Sequence, residues 1–274
     1  MADRSFSATL DAVAEGMRAK AELPFEKSFL LAVLGGAYIA LAAFGSTVAS
    51  CNLTASPDTY GLGRCVSGLL FPIGLMLVVI AGGELFTGNC LMTEAVRRRT
   101  VSVSALLRSW AIVYAGNAAG AVAVACMLQA SGLFHGAAGN VAAAVIRTAA
   151  SKAALGASEA FVLGIFCNWL VCLAVWLASR TDTLAHKAVL LFFPIWLFVT
   201  SGYEHSVANM YYLSAGLFAA LDPVALKASG LLPSVTAALS AQGIAANLFF
   251  VTLGNIVGGS LFVATAYCAA FKKQ

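Results

Sequence analysis

Six long apolar runs alternate with short polar stretches along this chain. They lie near 28–50, 65–95, 104–131, 158–179, 187–220 and 243–270. A transmembrane helix needs about 20 apolar residues, so each run is long enough to cross a bilayer. The pattern predicts an all-α integral membrane protein with six transmembrane helices, and residues 1–274 are expected to form a single domain.

Two of these runs are too long for one straight crossing, and each contains a polar, glycine-bearing interruption. The interruptions are GGELFTGN (82–89) in the second run and SGYEHSVANM (201–210) in the fifth. Backbone that leaves the helix at membrane depth is tolerated only where protein buries it or it lines a cavity. The Glu-His pair in the fifth run points the same way, because a charge at the bilayer centre costs about 3 kcal/mol on insertion scales. The second and fifth helices are therefore predicted to be broken, around a conduction path.

Matching patterns indicate two halves of three spans each. The third run contains GNAAGA (116–121) and the sixth contains GNIVGG (254–259), and the glycine spacing also predicts close helix packing. Both interruptions have a Glu five residues before an Asn, at Glu84 and Asn89 and at Glu204 and Asn209. An odd number of crossings per half inverts the second copy, so we predict an inverted 3+3 repeat of 28–131 and 158–270.

The composition agrees with a membrane protein and gives an orientation. The chain is 61% hydrophobic and only 10% charged, and its net charge of +4 comes from short basic clusters between the apolar runs, which suits membrane topology better than nucleic-acid binding. Lys and Arg accumulate in cytoplasmic loops. With the N-terminus inside, twelve basic residues lie on the cytoplasmic side: Arg4, Arg18, Lys20, Lys27, Arg97, Arg98, Arg99, Arg108, Arg180, Lys187, Lys272 and Lys273. Four lie outside: Arg64, Arg147, Lys152 and Lys227. Both termini are thus predicted to be cytoplasmic, in a bacterial inner membrane.

The segment 1–26 precedes the first span and has an amphipathic pattern. Apolar residues recur there at helical spacing beside charged ones: Phe6, Leu10, Val13 and Met17 beside Asp11, Glu15 and Arg18. This predicts a short cytoplasmic helix that lies on the membrane surface or packs under a neighbouring subunit.

The seven cysteines show no metal-ligand spacing, so no metal or cofactor is expected. Cys51 and Cys65 flank one predicted loop, and whether they form a disulfide depends on the compartment that the loop faces.

Three motifs, GGELFTGN, GIFCNWLVCLAVW (164–176) and SGYEHSVANM, occur together with VTLGN at 251–255. With these motifs the chain resembles the formate/nitrite transporter family over nearly its whole length, and it looks more similar to the nitrite and hydrosulfide branches than to the enterobacterial formate channel. The resemblance implies an aquaporin-like fold of six helices, with helices two and five broken, assembled as a homopentamer in which each subunit carries its own pore.

The resemblance also implies roles for individual residues. His205 corresponds to the central histidine of the pore, and Thr87 faces it. Two apolar constrictions enclose this pair, formed by Phe71 and Phe198 on the periplasmic side and by Leu75, Leu85 and Phe86 on the cytoplasmic side. Lys152 belongs to the outer vestibule, and Asn168 and Asn255 to polar positions near the pore. The residues expected to support the breaks are Glu84, Asn89, Glu204, Asn209 and Asn255, Glu204 by accepting backbone N–H groups.

Two apolar constrictions around one imidazole suit a weak-acid anion such as formate, nitrite or hydrosulfide. The bare anion is costly to desolvate, whereas its neutral acid is not. We expect Lys152 to attract the anion, and Thr87 and His205 to hydrogen-bond it, with His205 supplying a proton or a transient positive charge. The expected partners are thus small anions, protons, the bilayer and identical subunits.

Two other functions share some of these sequence features. A neutral-solute channel of the aquaporin type shares broken helices, but its paired Asn-Pro-Ala signature is absent. A membrane-anchor subunit of an oxidoreductase would need a second deep histidine for haem, whereas His135 and His186 fall in a loop and at a span end. The chain is therefore expected not to be an enzyme.

Overall fold

The computed structural model describes residues 4–271, and its helices follow the predicted apolar runs. In chain order they are α1 (Phe6–Ala21), α2 (Phe25–Ser50), α3 (Pro57–Gly82), α4 (Phe86–Asn89), α5 (Met92–Arg97), α6 (Val103–Ala130), α7 (Asn140–Ala153), α8 (Ala157–Ala178), α9 (Leu184–Ser201), α10 (Ser206–Ala219), α11 (Pro223–Ala228), α12 (Pro233–Thr236) and α13 (Ala241–Phe271). Within the described residues six helices have the length and hydropathy of membrane spans, namely α2, α3, α6, α8, α9 and α13. The prediction of an all-helical protein with six spans is confirmed.

The second and fifth spans break inside the predicted interruptions. α3 ends at Gly82, where φ is 99°, and the backbone then runs extended to the start of α4. α9 ends at Ser201, and Gly202, with φ of 83°, closes it by donating its N–H to carbonyls of the last turn. A positive φ favours glycine at both points because a Cβ would strain the backbone. The runs 65–95 and 187–220 are therefore each divided into separate helices on either side of a short non-helical segment.

Glycines bring the spans into backbone contact in both halves. Gly120 of α6 lies against the carbonyl oxygen of Val33 in α2, and Gly258 of α13 lies against that of Ile165 in α8. A Cβ at either glycine would overlap the facing carbonyl. The close packing predicted from the glycine spacing is confirmed, and the same helix pair occurs once in each half.

α1 is amphipathic as predicted, but it packs against its own chain. Its buried face includes Leu10, Val13 and Met17, and it contacts α5 and the end of α13. Arg98, just after α5, donates to Asp11 Oδ1 from Nη1 at 2.7 Å and to Glu94 Oε1 from Nε at 2.7 Å. The helix thus covers one end of the bundle, and its placement on the membrane surface or under a neighbouring subunit stays a prediction.

α7 is a helix that the hydrophobic pattern did not predict. It is alanine-rich and almost wholly buried, and it packs mainly against α10, with further contacts to α13 and α2. Its last turn carries Lys152. The predicted outer loop is therefore in part a buried helix, which brings Lys152 into the protein.

The sequence left open whether Cys51 and Cys65 form a disulfide, and it used basic residues at the C-terminus to predict the orientation. Cys51 and Cys65 are both free thiols, and Cys51 is buried. Lys272 and Lys273, which contributed to the predicted orientation, lie outside the described residues.

Candidate functional site

The two helix breaks bring Thr87 and His205 together in the middle of the protein. Thr87 Oγ1 lies 3.0 Å from His205 Nε2, and both side chains are buried. His205 Nδ1 accepts the backbone N–H of Ala208 at 3.0 Å, which caps the start of α10. Because a backbone N–H can only donate, a neutral imidazole in this position carries its hydrogen on Nε2. Nε2–H therefore donates to Thr87 Oγ1, and the threonine hydroxyl hydrogen is left for another acceptor.

Asn117 of α6 holds the non-helical backbone in the first half. Its Oδ1 accepts the N–H of Phe86 at 2.9 Å, and its Nδ2 donates to the carbonyl oxygens of Ala32 at 2.7 Å and Glu84 at 2.8 Å. Buried backbone groups without partners are costly. One side chain thus satisfies groups on α2, on the interruption and at the start of α4.

Asn255 of α13 makes the equivalent contacts in the second half. Its Oδ1 accepts the N–H of Ser206 at 2.9 Å, and its Nδ2 donates to the carbonyl oxygens of Gly164 at 2.8 Å and Glu204 at 2.9 Å. Asn255 therefore satisfies backbone groups on α8, at the second interruption and at the start of α10.

A half-buried lysine paired with a buried glutamate adjoins each break. Lys152 Nζ lies 2.7 Å from Glu204 Oε1, and Lys20 Nζ lies 3.0 Å from Glu84 Oε1. The other carboxylate oxygen of each glutamate accepts an amide hydrogen five residues along the chain, from Asn209 at 2.6 Å and from Asn89 at 2.7 Å. The prediction that Glu204 accepts backbone N–H groups is wrong, because an ammonium and an amide occupy its carboxylate and His205 caps α10 instead.

Two cavities approach the Thr87–His205 pair. The first, called here the Lys152 vestibule, has a volume of about 550 Å³. Its lining includes Thr47, Arg64, Phe71, Arg147, Lys152, Phe198, Glu204 and His205. The second, called here the Lys20 vestibule, has a volume of about 340 Å³, and its lining includes Lys20, Leu31, Leu75, Glu84 and Leu85. Leu31 lies near the start of α2 and Thr47 near its end, so the two vestibules open at opposite ends of the bundle.

Two aromatic rings line the Lys152 vestibule beside His205. Phe71 and Phe198 meet edge to face, with ring centroids 5.5 Å apart, and both are buried. Phe198 also lies against the His205 ring, at a centroid distance of 6.0 Å. On the other side, Leu75 and Leu85 are buried at the Lys20 vestibule.

Phe86 and Asn168, both predicted near the pore, make packing and supporting contacts. Phe86 packs edge to face against Tyr114 at 5.0 Å and against Trp110 at 5.8 Å, so its ring is turned towards α6. Asn168 donates its amide hydrogens to the carbonyl oxygens of Thr87 at 3.1 Å and Asn255 at 2.6 Å. Phe86 thus packs against α6, and Asn168 fixes the backbone that carries Thr87.

Sequence reasoning did not identify Lys20 and Asn117 as site residues. Asn117 is the asparagine of GNAAGA, and its counterpart in GNIVGG, Asn255, was predicted, so the matching motifs carried a signal for it. The correspondence of Lys20 with Lys152 is visible only in the structure. Leu31 and Leu163, whose carbonyls accept the backbone N–H groups of Glu84 and Glu204, are separated by the same interval as the two lysines.

Two broken spans that meet at a buried hydrogen-bonding pair, with a vestibule at either end, define a membrane channel or transporter. A family model described as formate/nitrite transporter matches residues 7–269, and the chain belongs to this family.

The comparisons extend to individual relatives and to a solved structure. The chain is 39% identical over 271 residues to a probable formate transporter of Methanothermobacter thermautotrophicus, covering 93% of this chain and 92% of the relative. It is 38% identical over 239 residues to the formate channel FocA of Haemophilus influenzae, covering 86% and 84%. A solved pentameric formate channel with formate bound superposes with a TM-score of 0.81 at 35% identity, covering 91% of this chain and 98% of that one.

Proposed function

We propose that this protein conducts small monovalent weak-acid anions, with formate as the first candidate. The observation that carries the proposal is the buried Thr87–His205 donor pair between two vestibules. The names of the relatives favour formate. The greater similarity of the motifs to the nitrite and hydrosulfide branches stays a prediction, and both anions remain candidates.

The contacts of His205 support a specific proton-linked step. Protonation of the imidazole requires Nδ1 to release the Ala208 N–H, and losing an N-cap costs about 1 kcal/mol. An anion beside the ring favours the imidazolium and offsets this cost. The imidazolium, formed when Nδ1 takes a proton from water in the Lys152 vestibule, then gives its Nε2 proton to the anion, which leaves a neutral acid and an imidazole with its hydrogen on Nδ1. Loss of the Nδ1 proton to water and uptake of one at Nε2 restores the tautomer that accepts the Ala208 N–H. The neutral acid crosses the apolar contacts of Phe71 and Phe198 with little desolvation cost.

The remaining parts of the proposal concern orientation and assembly. Both termini are proposed to be cytoplasmic, in a bacterial inner membrane, so the Lys152 vestibule faces outward. A homopentamer with one pore per subunit is proposed because a pentameric formate channel has this subunit fold.

Solute uptake by proteoliposomes tests the proposed function. Formate, nitrite, hydrosulfide and glycerol are compared at two pH values, with protein-free vesicles as the control because neutral acids cross lipid unaided. We expect anion-dependent uptake well above the control and no added glycerol uptake. Glycerol permeation without anion uptake would instead assign the protein to the neutral-solute channels.

Removing the Lys152 charge should weaken capture of the anion, but only a paired substitution isolates this effect. Lys152→Gln alone leaves the Glu204 carboxylate buried without its ammonium, which costs about 3–5 kcal/mol of stability. We expect Lys152→Gln with Glu204→Gln to restore folding. Compared with Glu204→Gln alone, from which it differs only by the Lys152 charge, the double variant should need a higher formate concentration for half-maximal uptake. Lys227→Gln, an exposed charge on the same predicted face, is the control. An unchanged concentration dependence in the double variant would argue against capture by Lys152.

A further inference from the structure

We propose that the Lys152 vestibule contains a binding site for small dicarboxylate dianions on Arg64 and Arg147, and that a bound dianion blocks transport from this side. The site lies in the vestibule, before the Phe71–Phe198 contact. Its blocking effect rests on the proposed function, whereas binding itself does not.

The first reason to place a dianion site here is the charge balance of the Lys152 vestibule. Its lining holds three permanent cations, Arg64, Arg147 and Lys152, and one carboxylate, Glu204. Glu204 is already paired with Lys152 at 2.7 Å. Within residues 4–271 neither arginine forms an ion pair with a carboxylate. Two guanidinium charges without a carboxylate partner therefore share one cavity, which matches a ligand of charge minus two.

The hydrogen bonds of the two arginines leave donors for such a ligand. Arg64 donates from Nη2 to the carbonyl of Val199 and from Nε to that of Thr200 at 3.4 Å, so the end of α9 anchors its guanidinium. Arg147 makes one long hydrogen bond, from Nη1 to the carbonyl of Ser229 at 3.4 Å. A guanidinium has five N–H donors in a planar fork that suits carboxylates. Hydroxyl side chains in the same lining supply further donors, at Tyr60, Ser67 and Thr148.

A dianion held there cannot follow the proposed substrate. Both carboxylates of a dianion must be desolvated at the aromatic contact, so its penalty is at least about twice that of a monoanion. The Lys20 vestibule has no equivalent site, because the only charged residues in its described lining are Lys20 and Glu84, which form an ion pair. The proposed block therefore acts from one side.

Calorimetric titration of the purified, assembled protein tests binding directly. Malonate and acetate are the probes, at matched ionic strength, and three single variants are compared. We expect malonate to bind at least tenfold tighter than acetate, and Arg147→Gln to weaken malonate about tenfold by removing charge-assisted hydrogen bonds. Arg64→Lys, which keeps the charge but loses the fork, should weaken malonate as well. Lys227→Gln, an exposed charge outside the vestibule lining, should leave binding unchanged.

The binding result and the transport result separate the two proposals. If malonate binds no tighter than acetate, or if Arg147→Gln and Lys227→Gln weaken it equally, the dianion site is refuted even where formate transport is intact. In proteoliposomes, malonate on the Lys152 side should slow formate uptake in the wild type and less so in Arg147→Gln. Binding without any formate transport would overturn the blocking role and the proposed function, while leaving the site.

Discussion

Replacing His205 with Asn is expected to abolish the pH response of formate uptake while the protein still folds. Asparagine is a good N-cap, so its Oδ1 can accept the Ala208 N–H that His205 Nδ1 accepts at 3.0 Å. An amide does not titrate, however, and cannot give the anion a proton. Formate uptake by proteoliposomes over a pH series measures the effect, and assembly is checked by size-exclusion chromatography.

Two further variants define what the His205 result means. His205→Ala removes both the cap and the donor to Thr87, so it should lose uptake and also some stability. His186→Asn makes the same substitution at an exposed position and should behave like the wild type. A His205→Asn variant with the wild-type pH profile would eliminate the imidazole as the proton carrier.

Replacing Asn255 with Ala is expected to lower the folding stability strongly. The substitution leaves the N–H of Ser206 and the carbonyl of Glu204 buried without a partner, whereas the carbonyl of Gly164 keeps its helical hydrogen bond within α8. Each unsatisfied group costs about 1–3 kcal/mol, so the loss should be roughly 2 kcal/mol or more. Asn117→Ala should be similarly destabilising, because Asn117 satisfies the same three kinds of group.

Unfolding titrations in detergent micelles measure these losses. The matched control is Asn140→Ala at the exposed start of α7, which should change the unfolding free energy by less than about 0.5 kcal/mol. An Asn255→Ala protein as stable as this control would mean that the breaks are held by other contacts.

The spans and their breaks were predictable because each rests on a signal that is local in the sequence. A membrane span is recognised from the hydropathy of about 20 consecutive residues. A break is recognised because glycine and polar residues interrupt such an apolar stretch. α7 had no such signal. Its 14 residues are too few to cross a bilayer, and only packing against α10 and its neighbours makes it a buried helix. The position of Lys152 beside Glu204 depends on that packing.

The site was predictable in its residue types but not in the directions of its side chains. Leu85 is extended, with φ of −126° and ψ of 122°, and Phe86 follows as the first residue of α4. Successive side chains in extended backbone point to opposite sides, so only one of the two could line the Lys20 vestibule. Leu85 does so, whereas Phe86 packs on α6. The family motif contains both residues and does not distinguish them.

Proton flow that accompanies formate shows whether the anion is protonated before it crosses the protein. Proteoliposomes with a pH-sensitive dye inside receive an inward formate gradient, with the membrane potential clamped by potassium and valinomycin. We expect internal acidification that rises with formate uptake, exceeds that of protein-free vesicles, and is lost in His205→Asn. Formate uptake that is balanced by potassium entry, without acidification in the wild type, would contradict proton-linked passage, because the anion would then cross the Phe71–Phe198 contact still charged.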